Sequence, residues 1–279
     1  MFEKPRYIQN CFNIAFRSQV EIQNKTDEFE DILKNYYNKF MSDKSKPNLR
    51  HSRKELVFAS EHEFSKINIS QRKIALNVNY PEDYQNDFQK GKKFILERTP
   101  LLFELLNVIG EMKLQSCSLA TQVLIPSDAN INTIIYHIHN LFLKNSNSAD
   151  LSEIQLKTTK VISDQFLSSV TLRNYRIDKS QRKTQPFSNT NAVELGIAID
   201  GDYRYNFSKQ EKYMLDFELA NKIVDCGFAE INKMIVPLLQ ISEEQRRELI
   251  RTTKGKYKSV LSSTEEFIDH KRQEIQVEG

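Results

Sequence analysis

Five histidines, three cysteines and two loose groups of carboxylates are the side chains here that could do chemistry, and spacing decides what each could do. Only His137 and His139 are neighbours among the histidines, the others being His51, His62 and His270. Two residues apart on a helix is about 200° of rotation, so the pair cannot ligate one metal; one ring is expected partly buried and the other solvated. Cys11, Cys117 and Cys226 are too far apart for zinc-knuckle or redox spacing and read as small core residues. His-Glu-x-x-His, Cys-x-x-Cys and Gly-x-Ser-x-Gly are all absent. With them go the familiar metalloprotease, zinc-site and hydrolase-elbow signals. Gly91-Lys92-Lys93 lacks the glycine-rich turn of a phosphate loop and reads as a solvated helix face.

A metal-dependent nuclease needs carboxylates converging at a sheet edge, with a lysine beside them. Asp150, Glu153 and Lys157 form one candidate group, and Asp200, Asp202 and Asp216 form another. In the first, Gln155 stands where an acid-x-Lys arrangement wants a carboxylate. In the second, Asp200-Gly201-Asp202 has the composition of a hairpin turn. No cofactor or metal site is expected.

The basic residues gather in three segments. Lys44, Lys46, Arg50, Arg53 and Lys54 lie in the first long loop. Arg173, Tyr175, Arg176, Lys179, Arg182 and Lys183 run from a strand end into the loop around Pro186. Arg246, Arg247, Arg251, Lys254, Lys256, Tyr257 and Lys258 dominate a last helix that Glu243, Glu244 and Glu248 dilute. Brought to one face they would form a phosphate-binding stripe on which the two tyrosines could stack bases; scattered, they are solvated surface. The net charge of +3, from 40 basic and 37 acidic residues, is too balanced to announce a nucleic-acid partner by itself.

The elements that must position these groups follow from periodicity. Phe12, Ile14, Phe16, Val20 and Ile22 share one parity, which predicts a strand over 12–22, and Thr26 introduces an amphipathic helix with Phe29, Ile32, Leu33, Tyr36, Tyr37 and Phe40 at helical spacing. Residues 56–69 and 73–80 read as a hairpin. Pro81 opens a helix that Thr99-Pro100 interrupts, and a second piece stops at Gly110. Residues 112–125 are extended, with a parity shift at 116–119 that suggests a bulge. A helix carrying Ile131, Ile134, Ile135 and Ile138 follows Pro126-Ser127-Asp128. Beyond an Asn/Ser-rich loop at 144–152, strands are expected at 154–162, 166–177, 192–199, 203–207 and 213–219, with Asp200-Gly201 as a tight turn. Helices are expected at 223–239 and 243–259.

With 279 residues, 39% of them apolar, the chain can bury a substantial core. The expected architecture is α+β: mostly antiparallel sheet with amphipathic helices on one face and a helical C-terminus. The expected core includes Phe12, Ile14, Phe16, Leu33, Leu76, Val78, Ile135, Leu195, Ile197 and Phe217. Expected divisions are 1–143, 153–240 and a peripheral 241–279. The order also fits a duplicated βαββ-like unit, although no internal residue identity ties the halves together. No apolar run is long enough to span a bilayer, and Met1-Phe2-Glu3-Lys4-Pro5-Arg6 lacks the pattern of a secretory signal, so a cytoplasmic location is expected.

This order, with Arg72-Lys73-Ile74-Ala75-Leu76-Asn77-Val78 before a helix, the strand after Gly110 and Leu215-Asp216-Phe217 before the helix at Ile223, resembles a family of sporadically distributed bacterial proteins defined by a sequence profile and without an assigned activity. The resemblance implies a fold and a bacterial origin and carries no catalytic residue. Sporadic distribution suggests mobile-element or antiphage defence. The function expected is therefore a non-enzymatic binding or accessory subunit of a bacterial assembly, with a protein partner or self-association. A nucleic-acid-binding protein using the basic segments and a metal-dependent nuclease are the alternatives.

Overall fold

The computed structural model describes residues 2–17, 21–40, 48–51, 55–59, 64–110, 113–143, 151–179, 192–207 and 215–239. The chain divides into two compact units, 1–235 and 236–279, and the sheet belongs wholly to the first.

The first half runs β1 (Arg6–Phe16), α1 (Thr26–Phe40), β2 (Asn48–His51), β3 (Glu55–Ala59), β4 (Ser65–Ser70), β5 (Lys73–Asn79), α2 (Glu82–Gln85), α3 (Phe88–Leu96) and α4 (Thr99–Ile109). The second runs β6 (Leu114–Ser127), α5 (Ile131–Phe142), β7 (Gln155–Val161), β8 (Phe166–Lys179), β9 (Ala192–Asn206) and α6 (Phe217–Leu239). The nine strands of the described residues form one antiparallel sheet in the order β2-β3-β4-β5-β1-β6-β9-β8-β7. That order puts five strands on the β1 side of the β1–β6 pair and four on the β6 side. In each half the first strand is central, a helix follows it, and an antiparallel meander returns from the sheet edge to pair with it. The halves thus share a strand–helix–meander order with unequal meanders, four strands and three, and strands on both sides of the 144–152 loop share one sheet.

The sheet has two unlike faces because its central strands alternate. Phe12, Ile14 and Phe16 are buried, while Cys11, Asn13 and Ala15 between them are half-buried. Register carries the apolar parity across the sheet: Ile67, Leu76, Phe12, Leu119 and Tyr203 stand in one row. Helices cover that face. Tyr7 meets Phe88 of α3 and Phe228 of α6, and its hydroxyl donates to Asn232 Oδ1 at 2.6 Å. The buried Asn10 amide donates to the Tyr80 hydroxyl at 2.7 Å, which in turn donates to the Gly91 carbonyl of α3 at 2.9 Å. On α6, Gly227 lets the helix backbone settle on Leu119 and Tyr203.

Helix ends follow their capping signals. Asp87 accepts from the amides of Gln89 and Lys90, Asn130 accepts from Thr133, and Gly110 ends α4 with a φ of 85°, where a side chain would be strained.

Several expectations change. The first strand runs 6–16 instead of 12–22, and the run 56–69 holds two strands, β3 and β4, paired antiparallel with each other. Asp200-Gly201 makes no turn: β9 runs unbroken from Ala192 to Asn206, and Gly201 is there because Ile231 of α6 occupies the space a Cβ would need. Residues 217–219 open α6 instead of closing a strand, since Asp216 Oδ1 accepts the Leu219 amide at 2.7 Å and caps the helix. The 116–119 shift is no bulge; Ser116, Ser118 and Ala120 are small residues of the second face, and the register slips only between Ser116 and Leu114 and, at the other end, near Val123. Of the expected core, Phe217 is 46% exposed at the start of α6 and Leu195 is half-buried, while the others named are buried. His137 and His139 are both buried; over His137 the N-terminal segment, held by the Phe2–Ser127 bridge, lays the Phe2 ring at 4.9 Å. Among the described residues, no helix is long and apolar enough to cross a membrane.

Candidate binding surface

The face opposite α3 and α6 mixes short polar, small and long charged side chains. Reading across the register from β4 to β8, one row is Lys66, Asn77, Cys11, Ala120, Asp202 and Ser169, and the next is Asn68, Ala75, Asn13, Ser118, Arg204 and Leu167. Most are half-buried, so water reaches between them. Each strand supplies this row because its apolar alternate residues are committed to the helices, leaving the other parity free to be small and polar.

The carboxylates Asp200, Asp202 and Glu194 of this face are paired. Asp200 accepts from Gln122 Nε2 at 2.8 Å and from Arg173 Nε at 3.3 Å, and Asp202 accepts from Arg204 at 2.7 Å. Toward one end, Glu194 accepts from the Arg6 guanidinium and, at 2.9 Å, from the Tyr175 hydroxyl. Burial, helped by the neighbouring Glu194 carboxylate, holds the Tyr175 phenol well above its ordinary range. The Cys11 thiol donates to Asn77 Oδ1 at 2.9 Å, and burial, only partly offset by its contact with Asn13, pushes its pKa up. A thiol held in its neutral form is a poor nucleophile.

The sequence-predicted basic residues fall as follows. Arg173, Tyr175 and Arg176 lie on β8. Arg173 is engaged by Asp200. Tyr175 is buried, its ring packed over Gly196, so its faces are covered instead of presented to a base. Arg176 is exposed. Arg50 in β2 and Lys179 in β8 are described as strand backbone only. Lys44, Lys46, Arg53, Lys54, Arg182, Lys183, Arg246, Arg247, Arg251, Lys254, Lys256, Tyr257 and Lys258, with the expected helix at 243–259, lie outside the described residues.

Of the nuclease alternative's first group, Asp150 lies outside the described residues and Glu153 and Lys157 are exposed; the carboxylates of the second group have other partners. Asp200 and Asp202 are each matched by an arginine, and Asp216 caps α6 on its own. Among the described residues no three His, Cys, Asp or Glu side chains gather into a metal-binding group. Sequence reading missed Arg6, Glu194, Gln122 and Asn77. The signal available for them was the polar parity of β1, β5, β6 and β9, which marks a face without saying who meets whom.

These features define an α+β protein with one broad sheet face on which Asp200 and Asp202 are each paired with an arginine. No protein-family model matches the chain, and no curated protein does either.

Proposed function

We propose that the protein is a non-enzymatic binding protein, an accessory subunit that docks a macromolecular partner on the open face of its sheet. The observation that supports this most directly is the composition of that face: half-buried side chains such as Asn13, Asn77, Ala120 and Ser169 make a polar surface on the sheet, with acids already neutralised by Arg173 and Arg204. Such a surface presents amide and hydroxyl groups for recognition while asking little ordering of the sheet itself on binding.

The test places a photo-crosslinking residue at Gln122 on the open face and, separately, at the exposed Lys233 on α6. The crosslinked partner is identified and the pair reconstituted from purified components. Ala120→Arg, which adds bulk where the face is open, should then weaken the pair at least tenfold with an unchanged melting transition. Crosslinks from Lys233 alone, or a pair indifferent to Ala120→Arg, would overturn the reading.

A further inference from the structure

We propose that β7 is a docking edge for an acidic, extended polypeptide segment, which adds to the sheet as an antiparallel tenth strand beside Gln155–Val161. The proposal concerns the sheet edge and stands independently of the open face.

Strand β7 pairs with β8 on one side, and among the described residues nothing pairs with its other side. The direction of its backbone groups follows from the two ends of the ladder. The Ile162 amide donates to the Phe166 carbonyl at 2.9 Å, and the Asn174 amide donates to the Ile154 carbonyl at 3.3 Å. In an antiparallel pair the hydrogen-bonded residues recur every second position. Even-numbered residues from 154 to 162 therefore bond β8, and Gln155, Lys157, Thr159 and Val161 aim their N–H and C=O groups outward. Such a row is a template for another strand.

The side chains choose the occupant. Every residue of β7 except Leu156 is exposed, and Val161 is exposed to 67%. The strand carries Lys157 and Lys160, one on each face of the sheet, and no carboxylate. Lysines protect an edge from indiscriminate pairing, and a second copy would bring four ammonium groups and no acid to a single seam. A segment with carboxylates three residues apart supplies what is missing. Paired antiparallel, one acid stands opposite Lys160, the other opposite Lys157, and an apolar residue before the first meets Val161. Opposite charges placed directly across strands stabilise the pair, and like charges oppose it.

The probe is the capped peptide Val-Glu-Thr-Thr-Glu-Val with a C-terminal dye, titrated with the full chain in low salt and followed by fluorescence anisotropy. Saturable binding is expected, weakened at least tenfold by Lys157→Glu combined with Lys160→Glu, with preference transferred to Val-Lys-Thr-Thr-Lys-Val. Methylating the backbone nitrogen of the first threonine, which faces Thr159, should abolish binding, whereas methylating the second, which points away, should leave it within about twofold. This contrast needs no protein variant and holds even if the charge-reversed chain fails to fold. Absence of saturation, or equal response to the two methylations, would overturn the proposal. So would self-association of the wild-type chain in sedimentation that Thr159→Pro abolishes, because the occupant would then be a copy of the chain.

Discussion

Ile231 of α6 occupies the space that a Cβ on Gly201 of β9 would need. The Ile231 side chain can hold that position only because the strand carries no Cβ there. Gly201→Ala should destabilise by about 1–3 kcal/mol, the usual cost of overpacking, read as a lower urea midpoint at unchanged m-value. Ile231→Ala loses buried volume alone, yet combined with Gly201→Ala it should cost less than the sum of the two. An additive double-mutant cycle would show that the two sites do not press on each other.

The Arg6–Glu194 pair joins the first strand to the last across 188 residues of sequence, with both side chains largely shielded. Glu194→Ala would strand a shielded guanidinium, whose Nε already has no partner, and would remove the acceptor of the Tyr175 hydroxyl. A loss of about 2–4 kcal/mol is expected. Arg204→Ala, at a pair exposed on both sides, should move stability by less than about 1 kcal/mol. Chemical denaturation of both variants gives the comparison, and equal effects would contradict the difference in shielding.

Asp216 allows the cap and the nuclease alternative to be told apart. As the N-cap of α6 its role needs only a side-chain acceptor, so Asp216→Asn should be nearly neutral and Asp216→Ala should cost about 0.5–2 kcal/mol. No magnesium- or manganese-dependent nucleic-acid cleavage is expected from the wild-type chain. Turnover that Asp216→Asn abolishes would overturn that expectation.

The fold was legible where local and tertiary signals agree. Alternation in β5, the Ser70–Lys73 hairpin and the stop at Gly110 read correctly because each is settled by neighbouring residues, whereas the first strand, expected at 12–22, runs Arg6–Phe16. Gly201 was misread for the opposite reason: Asp-Gly is a turn signal locally, while the need for glycine there comes from a helix some 30 residues on. The start of α6 was misread as a strand because Leu215, Phe217 and Leu219 alternate, although Asp216 before a run with Ala220, Ile223, Val224 and Phe228 is also a capped amphipathic helix. Phe217 remains half-exposed at that first turn, against Phe103. The pairs Arg6–Glu194 and Gln122–Asp200 depend on strand register, which a sequence read alone does not set.

Alkaline pH should expose the cost of the buried phenols. Burial pushes the Tyr7 pKa up to about 12 and raises those of Tyr80, Tyr175 and Tyr203 above the ordinary value of 10.0. A phenol whose folded pKa lies above its unfolded one loses its proton more readily in the unfolded chain. The unfolded state therefore binds fewer protons, and stability falls as pH rises. The sign fixes the window: below the ordinary tyrosine range these four residues make stability independent of pH, and above it the melting temperature should drop, Tyr7 contributing between about 10 and 12. Tyr7→Phe removes that contribution at the price of the hydrogen bond to Asn232, so its melting temperature should be lower than wild type at pH 8 but decline less steeply from pH 10 to 11.5. Ultraviolet titration of the folded chain should show these phenolates only together with unfolding. Parallel declines in the two proteins would mean that Tyr7 titrates in the native state as freely as in the unfolded chain.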